Sequence, residues 1–285
     1  MIRLCAPTDE AGIDFDEAVF LMNKNGIHLA ELRGIFDKSV LYISNDEANY
    51  CKQKLSENDI KVWSISSPIG KRDLFIPISE FEENIDRAID KAQFFECENI
   101  RVFSFFDSLD KIDEVLKRLN LCVKKASKFN LNVCLENEKG SYADTAKRTL
   151  ELLDKIPNLK LVYDSSNFIQ VGEPSEMTLK EVFPRAYFVH FKDGIHVNDD
   201  ADITPVGKGE ANIAKLVDLC DKDMVFSLEH HLKFATADQP FEQIKDSCEF
   251  VYKNVGEAFV DSVKNAKIML SQAGYTEADE GNFIK

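Results

Sequence analysis

Short apolar runs alternate with segments of helical period along the whole chain. Residues 2–6 form a first apolar run. Residues 14–25 then place Phe15, Val19, Phe20 and Met22 at helical spacing and stop at Asn25-Gly26. The pattern predicts further strands over 28–33, 61–66 and 99–105. It predicts helices over 45–57, opened by an Asn cap, over 79–95, opened by a Ser79 capping box, and over 108–129. Four more strands, 132–137, 160–164, 186–190 and 224–229, are separated by helical segments near 142–155, 178–183 and 212–221. The stretch 239–274 reads as one long helix, broken near 254–256, with a polar tail after it. Eight strands each followed by a helix imply a parallel sheet. In one chain of 285 residues without a linker, they predict an α/β fold: a single (β/α)8 TIM barrel over 1–285, with a C-terminal helical extension from about 240 to 285. An open doubly wound sheet is the alternative. It is disfavoured because no Gly-x-Gly-x-x-Gly follows the first strand.

Composition narrows the partners. The chain is 44% hydrophobic and 30% charged, with a formal net charge of -15. A nucleic-acid binder should carry a basic stripe instead, so DNA, RNA and anionic membranes are not expected as partners. The acidic balance still allows a locally positive pocket for a small anion. The seven cysteines are odd in number and contain no Cys-x-x-Cys pair. With no signal-like segment and no membrane-length apolar run, they lead to the expectation of a cytoplasmic protein.

Candidate chemistry lies at four successive strand ends: Glu136, Asp164, His190 and Glu229. In a parallel barrel such ends face one mouth, so two Glu, one Asp and one His can converge on one divalent ion with positions left for substrate. Each residue taken alone reads more readily as a helix cap or a surface group than as a ligand. Their coincidence on consecutive strands carries the metal reading. Around them lie Lys71, Asn167, Lys192, Asp193 and His231, candidates for substrate contact. Arg101 is expected either in substrate contact or, at least as readily, in an ion pair inside the barrel, and Glu31 with Arg33 is expected either to pair or to reach substrate. His28 and His196 read as surface or loop residues. Residues 198–209 read as an extended loop over the mouth.

The segments Leu135-Glu136-Asn-Glu, Asp164-Ser-Ser-Asn167-Phe, Val189-His190-Phe-Lys192-Asp193, Gly207-Lys-Gly209-Glu210 and Leu228-Glu229 resemble the xylose-isomerase-like TIM barrels, in particular the sugar phosphate isomerase/epimerase group. The resemblance runs over nearly the whole chain. It implies that Glu136, Asp164, His190 and Glu229 hold Mn2+, Co2+, Mg2+ or Zn2+, with Glu136 and Glu229 also exchanging protons with the substrate. It further implies a metal-dependent isomerase or epimerase acting on a ketose or keto-sugar through an enediolate. The alternative on the same scaffold is a lyase, an inosose-type dehydratase or an enzyme eliminating the aglycone of a keto-glycoside. Homo-oligomers are common among such barrels. Asn167 departs from the His that the epimerases carry at this position. Five histidines are too few for the multi-zinc cluster of the endonuclease IV members.

Overall fold

Eight strands close on themselves in chain order: β1 (Ile2–Pro7), β2 (Leu29–Leu32), β3 (Lys61–Ser66), β4 (Asn99–Val102), β5 (Asn132–Glu136), β6 (Lys160–Asp164), β7 (Ala186–His190) and β8 (Met224–Ser227). β8 returns to β1 in parallel register, Ile2 opposite Met224 and Cys5 opposite Ser227. The computed structural model describes all residues of 1–285 except 73, 246 and 280. The main helices outside the barrel, besides shorter ones at Thr8–Ala11, Ser165–Gln170 and Phe241–Ile244, are α1 (Phe15–Lys24), α2 (Asn45–Glu57), α3 (Ile78–Phe94), α4 (Ile112–Ala126), α5 (Ala146–Lys155), α6 (Ser175–Glu181), α7 (Ile213–Asp218) and α8 (Val255–Gln272). The (β/α)8 barrel read from the sequence is the observed fold.

Strand alternation sorts the core into two shells. Cys5, Cys134, Val162, Phe188 and Val225 fill the barrel interior, with Trp63 and Tyr187 packed against them. Their neighbours Leu4, Leu135, Leu161, Val189 and Phe226 point outward and share the larger core with helix residues such as Ile85, Leu119, Leu152 and Val263. The same alternation has a consequence at the mouth. Two positions beyond Cys134, Val162 and Phe188 come Glu136, Asp164 and His190, so the polar ends point into the barrel above its apolar filling.

Three local expectations are corrected. α2 is capped by Ser44, whose hydroxyl accepts from the Glu47 N–H while the Glu47 carboxylate accepts from the Ser44 N–H, so Asn45 is already helical. α3 starts at Ile78 after Pro77, and no side chain caps it. Proline fixes φ and prepares the first turn without a Ser79 cap. The stretch expected to be a helical extension from about 240 to 285 is helical only over Phe241–Ile244 and Val255–Gln272. The Asn254 carboxamide caps α8, and Val251–Tyr252 pairs with Lys233–Phe234.

After α8 the chain forms a hairpin, β9 (Thr276–Asp279) and β10 (Asn282–Ile284). β10 runs antiparallel to β1, with Ile2 opposite Phe283. β1 meets β2 only at Ala6 and Pro7, so this hairpin occupies the lower part of that seam. Gly281 makes the approach possible: its φ is +73°, and a Cβ there would stand 2.4 Å from the Gly26 carbonyl oxygen. No helix among the described residues is long and apolar enough to cross a membrane.

Candidate metal centre and active-site mouth

The four strand-end residues meet. Ligand atoms of Glu136, Asp164, His190 and Glu229 lie within 4.8 Å of one another, and all four side chains are buried. His190 Nδ1 is the hub, 3.0 Å from Glu136 Oε1, 3.2 Å from Glu229 Oε2 and 3.9 Å from Asp164 Oδ2. Beneath it the imidazole rests edge-on against Phe188, with ring centres 5.7 Å apart. On the far side, Nε2 donates to Glu31 Oε1 at 3.2 Å, and Ser66 Oγ donates to the other Glu31 oxygen. Glu31 therefore belongs to His190 and not to Arg33, because inward-facing groups pair across the lumen.

The donor set fits a divalent ion. Two ligands each about 2.1 Å from one ion lie no more than about 4.2 Å apart, so side-chain shifts of roughly half an ångström would complete the set. Nδ1 would ligate while Nε2–H stays on Glu31, the carboxylate–histidine arrangement that fixes a ligand's tautomer. Asp164 serves in two ways. Oδ1 accepts the Asn167 N–H at 2.8 Å and caps the short helix Ser165–Gln170. Oδ2 faces the cluster without an aligned hydrogen bond, its nearest charge being the Lys192 ammonium at 2.8 Å. The helix-cap and ligand readings of Asp164 both find their atom.

Cations surround these acids. Lys192 is buried and also lies 3.2 Å from Glu229 Oε2. It reaches the mouth because it sits two residues beyond His190, while Phe191 between them packs outward on Phe226. Arg101 donates to Glu136 Oε2 at 3.0 Å, the ion pair expected inside the barrel. Arg33 joins Asp9, Glu10 and Glu229 at 2.9, 2.6 and 2.6 Å. The acidities follow. Burial alone would raise the Glu136 carboxyl, but the neighbouring His190 charge and Arg101 bring it down to about 2. Glu229 is likewise held well below the usual range against its burial, by His190 and Lys192. Burial wins at Asp164, whose carboxyl is raised. His190 is pushed well above its ordinary value, since Glu136, Glu229 and Glu31 outweigh its burial.

The other anticipated residues divide into two groups. Asn167 joins the site: its amide nitrogen is 2.8 Å from the Asn137 carbonyl and 3.4 Å from both Glu136 and Glu138. His231 stands at the rim with its side chain 43% exposed, 3.0 Å from Glu10. Lys71 lies 3.7 Å from Glu138 and 4.6 Å above the Phe103 ring. Asp193 faces away from the cluster. Its carboxylate accepts the N–H groups of Gly194, Gly207, Gly209 and Ala211. It thereby clasps the base of an antiparallel hairpin, Asp193–Val197 with Asp200–Thr204, where a plain loop was expected. Among the described residues Glu10 and Glu138 were missed as site groups, and Glu31 was placed at the site but not as the partner of His190. Glu10 follows β1 at the same rim and Glu138 follows Glu136 by two, so strand-end position was the available signal. Burial, with Glu136 close by, raises the Glu138 carboxyl.

A cavity of about 450 Å3 adjoins the cluster on the side of the β1–β4 loops, with Ile13, Arg33, Phe36, Ser66, Lys71, Arg101 and Phe103 in its wall. Arg101 and Arg33 thus separate it from Glu136 and Glu229.

Comparison with known proteins agrees with this fold. Residues 10–254 match the family described as xylose isomerase-like TIM barrel. A 3-dehydroshikimate dehydratase of Bacillus anthracis is 24% identical over 245 residues, covering 76% of this chain and 85% of the relative. The crystal structure of the probable 3-DHS dehydratase involved in petrobactin synthesis from Bacillus anthracis superposes with a TM-score of 0.64 at 20% identity, covering 80% of this chain and 93% of that one. A xylose isomerase-like TIM barrel protein from Mycobacterium smegmatis in complex with magnesium gives a TM-score of 0.70 at 13% identity, covering 95% and 96%. At these identities the structural likenesses speak for the fold alone.

Proposed function

The chain belongs to the xylose isomerase-like TIM barrel family, and we propose that it is a divalent-metal-dependent lyase that removes water from a small cyclic keto substrate. The observation that carries the reading is the buried convergence of Glu136, Asp164, His190 and Glu229 at one barrel mouth, in a chain similar to a 3-dehydroshikimate dehydratase. This favours the lyase over the isomerase anticipated first.

A divalent ion held by these four residues would polarise the keto oxygen and offset the negative charge left by proton removal. The ligand glutamates are poorly placed to carry that proton as well. Glu136 is engaged by His190 and Arg101, and Glu229 by Arg33, His190 and Lys192. Glu138 lies at the mouth outside the ligand set, its side chain 22% exposed and steadied by Lys71 and Asn167. In this reading Glu138 takes the proton from the carbon beside the carbonyl, and the bond to the β-hydroxyl breaks. The departing oxygen then recovers that proton, so water leaves and the carboxylate is regenerated. Lys71 and His231 orient substrate oxygens, and Asp193 holds the hairpin rather than the substrate. Seven cysteines, none of them in a disulfide, support a reducing, cytoplasmic setting.

The test is turnover of 3-dehydroshikimate, keto-inositols and ketoses with Mn2+, Co2+, Mg2+ or Zn2+ in D2O, followed by NMR and by ultraviolet absorbance of a conjugated product. Loss of water is the expected result, abolished in Glu138→Gln. Deuterium entering one carbon of a ketose, with no water lost, would establish the isomerase reading instead.

A further inference from the structure

We propose that the cavity beside the acidic cluster is a subsite for a planar aryl group carried by the substrate. The proposal deepens the enzymatic reading and rests on it only for where the reacting carbons lie.

Each of the cavity's four cations already faces a carboxylate. Arg33 holds three carboxylates, Arg101 holds Glu136 and the Ser66 carbonyl, Lys38 lies 2.7 Å from Glu47, and Lys71 faces Glu138. A second anionic group would find no surplus positive charge here. Between these cations the wall is apolar at Ile13, Ile35, Phe36, Pro68 and Phe103, and polar at Asp9, Asp37, Ser39 and Ser66. Ile13 is 77% exposed and Phe36 is 36% exposed, so both offer surface that a ligand would cover.

Two features favour a flat ring over an aliphatic chain. The Arg101 guanidinium lies over the Phe103 ring at 4.3 Å and the Lys71 ammonium over the same ring at 4.6 Å, a layer of flat and cationic groups at the cavity wall. The Arg101 Nε–H is buried without a hydrogen-bond partner. Phe36 is the second feature. It sits with Asp37 at the tip of a tight hairpin, Gly34–Ile35 with Lys38–Ser39, and both tip residues have positive φ, 53° and 58°. Asn-Gly is the ordinary choice for such a turn, and a bulky aromatic there is strained. Its ring is braced by Phe15 and Tyr50, with centres 6.1 and 6.2 Å away. Size permits the assignment, since a cavity of about 150 Å3 already accepts benzene.

The experiment compares the affinity of 4-nitrophenyl β-D-glucopyranoside and methyl β-D-glucopyranoside by calorimetry, in EDTA and with Mn2+. The aryl compound should bind about tenfold tighter in both conditions. Phe36→Ala, and separately Ile13→Ser at a site too exposed to threaten folding, should each remove most of that preference and leave the methyl compound unchanged. Equal affinity of the two compounds, or a preference that survives both substitutions, overturns the subsite. Failure of Mn2+ to bind would overturn the metal-dependent reading instead, while the measurement in EDTA would still decide the subsite.

Discussion

Glu31 and His190 face each other across the barrel lumen, and the Nε2–H of the imidazole points at the Glu31 carboxylate from 3.2 Å. This bond leaves Nδ1 as the nitrogen turned toward Glu136, Asp164 and Glu229. Glu31→Gln should weaken Mn2+ binding by about ten- to a hundredfold, the usual cost of losing such support, with the circular dichroism spectrum unchanged. Calorimetric titration of Mn2+ checks it, and an unaltered affinity would show that the His190 tautomer is fixed by other means.

Metal binding should expel a proton. In the metal-free protein His190 is held well above its ordinary value by its acidic neighbours, so it is protonated at pH 7 and must lose that proton to ligate. Affinity should rise about tenfold per pH unit below the folded-state His190 value and flatten above it. Titrations in buffers of different ionisation enthalpy count the proton. Stability of the EDTA-treated protein follows the same signs. The His190 contribution is complete below the unfolded value and is lost as pH rises through the raised folded one. The Glu136 contribution is present above its unfolded value and is lost as pH falls toward about 2. Thermal melts across pH should show both flanks, and bound Mn2+ should remove the alkaline one.

Gly209→Ala should destabilise the hairpin base. A Cβ at this position would stand 2.3 Å from Asp193 Oδ1 and 2.5 and 2.6 Å from the Gly194 backbone, atoms fixed by the clasp itself. A loss of about 1–3 kcal/mol in urea unfolding is expected, the scale of an overpacked site.

Thiol reactivity should be low in the folded state. Burial pushes Cys51 and Cys97 up to about 12, and raises Cys5, Cys134 and Cys220 as well. Of the seven thiols, only Cys248 is not buried. A chromogenic disulfide should therefore titrate about one thiol quickly and the rest only after denaturation.

The barrel was legible in the sequence because strand and helix periods differ, and buried parallel strands read as unbroken apolar runs. The β9–β10 hairpin was not, because Thr276–Asp279 is exposed throughout and Phe283 alone is buried in β10. No periodicity marks such a segment. The four cluster residues could be picked out because each ends a strand in a chain of repeated βα units. The pairing of Glu31 with His190, and of Arg33 with Asp9, Glu10 and Glu229, could not be read the same way. These bonds cross the lumen, and strand closure sets them rather than spacing along the chain. Asp193 shows the same limit, since its partners Gly207, Gly209 and Ala211 arrive by the return of the hairpin.

The barrel mouth is divided in its workload. The three clustered acids and the imidazole come from the β5–β8 half, while the cavity wall comes from the ends of β1–β4 and the loops after them. For a protein engineer this is a modular tool. Grafting new loops after the first four strands should redirect what is recognised while the ion-holding half is left intact. Such a graft must keep Glu31 and the Ser66 that holds it, which brace His190 from the other half, and Arg101 and Arg33, which hold Glu136 and Glu229.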